Sequence, residues 1–91
     1  MISVTLTANG NAVTKKIRNT AAVTISGTYG GGTAKIQVCN TESGTYIDVD
    51  NGDFTSGSNA KIVNWAGFVR VNLAGSTTPS LLVTLELPSE V

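Results

Sequence analysis

The chain has 91 residues with six basic and six acidic side chains, so it is formally neutral, and a domain of this length buries only about two-thirds of the surface its unfolded chain exposes. Zero net charge argues against electrostatic attachment to nucleic acid or to an anionic membrane, and no stretch approaches the roughly 20 apolar residues of a membrane helix. With one cysteine no internal disulfide forms, and with no histidine the commonest general base and metal ligand are both missing.

Period-two alternation runs through the whole chain. Ile2, Val4, Leu6 and Ala8 share one face of a first predicted strand, with Ser3, Thr5 and Thr7 on the other. Asn9, Gly10 and Asn11 predict a hairpin turn with positive φ at Asn or Gly. Residues 13–17 make a second strand, weakened by Lys15 and Lys16, which read as protection of a sheet edge. Ala21, Val23 and Ile25 mark a third. Residues 27–32 then place four glycines around Thr28 and Tyr29, which predicts a flexible loop. Ala34, Ile36 and Val38 mark a fourth strand, and Thr45, Ile47 and Val49 a short fifth. Asn51 and Gly52 read as a turn before the sixth, residues 61–65. Val69, Val71 and Leu73 form the seventh, and Leu81, Val83, Leu85 and Leu87 the last.

These runs are short, rich in β-branched residues and bounded by turn chemistry; no window shows a helical period. Residues 1–91 therefore read as one all-β domain, an antiparallel β-sandwich of jelly-roll or Ig-like type with about seven to eight strands, or a small barrel. Residues 1–18 are set apart as a possible N-terminal arm or added strand. On the last strand Leu82 breaks the alternation, which predicts either a central strand covered on both faces or a contact with another subunit.

Candidate chemistry is sparse. Cys39 alternates away from Ile36 and Val38, beside Lys35 and Gln37, and has no histidine base to activate it. The acidic stretch Asp48, Asp50, Asp53 with Asn51 and Gly52 puts oxygen ligands at alternate positions, as Ca²⁺ sites do, yet it departs from the EF-hand spacing, and a solvated turn explains the same residues. Trp65 and Tyr46 are the rings a sugar platform would use, although Trp65 reads better as core filler. Tyr29, in the glycine loop, is the candidate exposed aromatic anchor. No catalytic residue, cofactor or metal ligand is assigned, and nucleic-acid and membrane binding are set aside.

Residues 20–87 resemble a family of small β domains common among virion proteins of tailed bacteriophages. The resemblance starts with Thr24, Ile25, Ser26, Gly27, Thr28 and Tyr29, followed by Gly30–32 and Thr33, and runs to Val38. It continues through Tyr46, Ile47, Asp48 and Val49, then Phe54 and Thr55, then residues 66–73 with Gly75. It ends with Pro79, Ser80 and residues 81–85, and covers about three-quarters of the chain. Such domains serve as capsid decoration or cement proteins, head fibres and tail parts. The resemblance therefore implies a homo-oligomeric virion protein, with the major capsid protein as the favoured partner and tail proteins second. The chain ends soon after its last strand, which fits a compact cementing protein better than a long fibre. A tail, adaptor or carbohydrate-binding fibre-tip role is the alternative. The start, from Met1 to Thr5, has neither the basic residues nor the long apolar run of a signal peptide, so synthesis in the host cytoplasm is expected. Tyr29, Leu82, Ile2, Val4 and Leu6 are the candidate interface residues.

Overall fold

A computed structural model describes residues 2–87; Met1, at the start of the expected arm, lies outside the described residues. Eight strands account for most of the described chain: β1 (Ile2–Leu6), β2 (Gly10–Ile17), β3 (Thr20–Thr28), β4 (Thr33–Cys39), β5 (Ile47–Phe54), β6 (Asn59–Asn64), β7 (Gly67–Ala74) and β8 (Ser80–Glu86). They form two four-stranded antiparallel sheets, ordered β1-β8-β3-β6 and β2-β7-β4-β5. The β4–β5 connection alone stays within a sheet; every other link between consecutive strands crosses from one sheet to the other. This is the strand order of an eight-stranded jelly roll, a β-sandwich of two interlocked Greek keys.

Alternation decides which side chains enter the sandwich. Ala21, Val23 and Ile25 of β3 meet Ala34, Ile36 and Val38 of β4, with Val69, Val71 and Leu73 of β7 and Leu81, Val83 and Leu85 of β8 completing the core. All of these are nearly or fully buried, and no polar or charged side chain among the described residues is buried with them. The core is therefore built from many medium-sized aliphatic groups, each worth about 1.5–3 kcal/mol when removed from water. The two inner strands of each sheet, β3 with β8 and β4 with β7, carry most of it.

Three sequence expectations change at this level. Asn9 and Gly10 do not close a hairpin: β1 pairs with β8, from Ile2↔Leu85 to Leu6↔Leu81, while β2 pairs with β7 in the other sheet. The turn residues serve a crossover, because Leu6 and Ala12 must reach opposite layers. Asn51 and Gly52 do not end a strand. They lie within β5, in a wide bulge where the partner register jumps from Gln37↔Asp48 to Lys35↔Asp53. Asn51 has φ 58°, and buried Gly52 lies against Ile36, where an added Cβ would sit 3.3 Å from the Ile36 Cβ. Finally, β8 is a central strand, but it is covered on one face only: Leu82 points to the solvent side and is 41% exposed.

Candidate functional site

The links β1–β2, β3–β4, β5–β6 and β7–β8 converge at one end of the sandwich and are laced together. Asn9 Nδ2 donates to the Ser76 carbonyl at 3.1 Å, and its Oδ1 accepts from the Ser76 amide at 2.9 Å. Ser76 Oγ donates to the Tyr29 carbonyl at 2.8 Å, and the Thr77 amide to the Gly30 carbonyl at 2.9 Å. Tyr29, expected as an exposed anchor, is 4% exposed and belongs to the core. Its hydroxyl lies 3.0 Å from the Gly57 carbonyl and 3.2 Å from the Ile25 carbonyl, and accepts from Asn59 Nδ2 at 3.0 Å. The glycines explain the difference. Gly30, at φ +63°, runs so close to the Thr77 carbonyl that a Cβ would collide with it. These glycines admit a neighbouring backbone, and the loop they form is packed rather than loose.

At the opposite end the Trp65 amide donates to the Asn19 carbonyl at 2.9 Å, and its indole Nε1 to the Cys39 carbonyl at 3.1 Å. The ring is half-buried against the core. It also lines a cleft of about 440 Å³ between the edges β5 and β6, together with Ile47, Asp50, Lys61, Ile62 and Asn64.

The outer faces of the two sheets differ sharply in chemistry. On β2-β7-β4-β5, Arg70 Nε donates to Gln37 Oε1 at 2.9 Å while the guanidinium stacks 3.9 Å above the Tyr46 ring. Gln37 Nε2 in turn donates to Asp48 Oδ1 at 2.9 Å, and Lys35 Nζ lies 3.5 Å from Asp48 Oδ2. The Gln37 hydrogen bond, helped by Lys35, holds the Asp48 carboxyl below its ordinary range. Desolvation raises the Tyr46 phenol above its own. Asp48, the first ligand of the considered calcium stretch, is thus already engaged by two neighbours. Half-buried Cys39 lies on this same face, its Sγ 3.9 Å from Thr41 Oγ1.

The face of β1-β8-β3-β6 is almost free of charge. Its strand residues point outward as Ser3 and Thr5 on β1, Ser80, Leu82 and Thr84 on β8, Thr24, Ser26 and Thr28 on β3, and Ala60 and Ile62 on β6. Glu86, at the end of β8, is the one charged side chain among the described strand residues of that face. The cross-strand row Ser3, Thr84, Thr24 and Ala60 is small and flat, with Thr24 and Thr84 joined through their hydroxyls. Leu82 and Ile62, 41% and 58% exposed, stand on either side of that row. Leu82 was legible as a break in alternation. Ile62 was missed, although Ile62 and Val63 are adjacent apolar residues on one strand, so alternation must send one of them outward. Ile2, Val4 and Leu6 are half-buried beneath the rim of this sheet, packed on the core.

No family model, curated protein or solved structure matches this chain.

Proposed function

We propose that this chain is a structural protein of a bacteriophage virion, a capsid decoration or cement protein that stabilises the assembled shell through protein–protein contacts. The observation that carries the reading is the outer face of β1-β8-β3-β6, where Glu86 at the end of β8 is the one charge among the described strand residues. Its Ser, Thr and Ala side chains lose little rotamer freedom when covered, and Leu82 and Ile62 supply apolar area to bury. The charges of the outer strands sit elsewhere, on the opposite sheet and in the β5–β6 cleft. The jelly-roll order supports the setting, since viral capsid domains use it, but lectin domains use it too, so the fold narrows the choice without making it.

Magnitudes favour repeated weak contacts. Four strands spaced about 4.8 Å apart and seven residues long give a face of roughly 19 Å by 23 Å. That is below the ~800 Å² per partner of a standard stable interface. A single docking event is weak, and repetition over a shell supplies the avidity. Because the protein binds assembled shell and not free subunits, it stabilises the assembled state by mass action.

The test uses heads and tails of the phage that carries the gene, separated and incubated with purified chain. Co-sedimentation with heads and a raised head melting temperature are expected, both lost in Leu82→Asp and Ile62→Asp. Absence of binding to either particle rejects the reading. Binding to tails alone moves the chain to a tail, adaptor or fibre-tip role. For a fibre tip, Trp65 beside Asp50, Lys61 and Asn64 in the β5–β6 cleft is the place where a glycan would dock. Glycan binding abolished by Trp65→Ala is its signature.

A further inference from the structure

Each sheet has two edges, and an unprotected edge is a template for another strand. Three of the four carry recognisable protection. β2 has a register break between Ala12 and Lys15 and exposes Lys15 and Lys16. β5 has the wide bulge described above and carries Asp48, Asp50 and Asp53. β6 places Lys61 on the same inward side as buried Val63, and an inward-pointing charge opposes a further strand. β1 has none of these devices. It keeps unbroken register with β8 over all five residues, and contains no charge, proline or glycine.

We infer that β1 is the docking edge for a second copy of this chain, the two β1 strands pairing antiparallel about a twofold axis at Val4. The strand is self-complementary in this one fully overlapped register. Ile2 meets Leu6, Ser3 meets Thr5 and Val4 meets Val4, so apolar groups face apolar groups on the core side and hydroxyls face hydroxyls outside. Ile2, Val4 and Leu6 are half-buried in the single chain, and pairing covers the side they still show. The charge pattern permits it. Lys15 lies near Ile2, where the two line one small cleft with Glu86. The two Ile2 residues would be four positions apart along the ladder, about 14 Å. That exceeds the ~8 Å screening length of physiological salt, so repulsion between lysines held at those two positions is largely screened. The result is an eight-stranded sheet that joins two charge-poor outer faces into one surface. The inference stands on the edges alone and does not depend on the virion reading.

The experiment is sedimentation equilibrium of the purified chain, with circular dichroism to verify folding of each variant. The parent is expected as a concentration-dependent dimer. In Ser3→Lys with Thr5→Lys, each lysine faces a lysine of the other copy, and the dimer is lost. In Ser3→Lys with Thr5→Glu, each lysine faces a glutamate, and the dimer returns. Val4→Cys in a Cys39→Ser background gives a disulfide-linked dimer on oxidation, because directly opposed residues of an antiparallel pair have Cα atoms about 4.5–5.5 Å apart. A parent that stays monomeric at millimolar concentration overturns the inference. So does a dimer indifferent to the two charge variants, or one that fails to cross-link at Val4.

Discussion

Replacing Tyr29 with Phe removes one oxygen and keeps the buried ring, so it isolates what the hydroxyl does for the laced end of the sandwich. That oxygen is shared between the Gly57 and Ile25 carbonyls and accepts from Asn59 Nδ2. Asn59 retains its bond to the Ser56 carbonyl at 2.9 Å, but the Gly57 and Ile25 carbonyls lose a partner where Tyr29 leaves little room for water. One donated and one accepted hydrogen bond, each worth about 0.5–1.5 kcal/mol net, give a loss of ~1–3 kcal/mol. For a domain of this size each kcal/mol lowers the melting temperature by about 4–8 °C, so ~2 kcal/mol corresponds to roughly 8–16 °C. Urea unfolding followed by tryptophan fluorescence reports it, with Trp65 as the single probe at the far end of the molecule. The double change with Asn59→Ala should cost less than the two single changes added together, by at least ~0.5 kcal/mol, since both remove the same contact. A Tyr29→Phe protein within ~0.5 kcal/mol of the parent refutes the claim that this hydroxyl ties the β3–β4 link to the β5–β6 link.

Two neighbouring glycines should separate collision from conformational preference. Gly30→Ala drives a Cβ into the Thr77 carbonyl, whereas Gly31→Ala, at φ +80° with nothing within 4 Å, meets only its backbone penalty. In urea titration the second costs ~1–2 kcal/mol and the first clearly more. Asp48 has a carboxyl held below its ordinary 3.8, so its contribution is complete above that value and is lost as pH falls through the depressed one. Melting curves should therefore show a steeper acid-side decline in the parent than in Asp48→Asn. Arg70→Lys removes both the Gln37 bond and the planar stack on Tyr46, and a loss of about 0.5–1 kcal/mol by chemical denaturation is expected. Leu85→Ala empties a fully buried core position and should cost 2–5 kcal/mol, provided that β1–β8 pairing persists in hydrogen exchange; approximately that range covers buried Leu→Ala changes.

The strands and their inward faces were legible because alternation is a local property. Val23 and Ile25, or Val69 and Val71, declare a buried face within a few residues, whatever they pair with. Pairing is not local. Asn9 and Gly10 carry the same turn chemistry whether the chain folds back on itself or crosses to the other layer, and the deciding partners, Leu81 to Leu85, lie more than 70 positions away along the sequence. The glycine loop failed for a related reason. Glycine lets a chain move freely and also lets another backbone come close, and Thr77 supplies the second circumstance from a different loop. Tyr29 was therefore assigned to the surface when it belongs to the core. Leu82 was visible as a fault in the pattern, but a central strand covered on one face only needs the whole sheet order to be recognised. The neutral face could not be read at all from composition, since twelve charges in 91 residues say nothing about which sheet excludes them.

Joining β1 to β8 also sets the order of events during synthesis. β1 waits for β8 to be made, and it joins the β3–β6 pair only when β8 slots between β1 and β3. That sheet cannot close strand by strand in chain order, and folding falls on the millisecond-to-second scale typical of β topologies dominated by distant contacts. Until then the uncharged, largely aliphatic β1 is open to any exposed edge it meets, so unfinished copies of this domain close to one another compete for it.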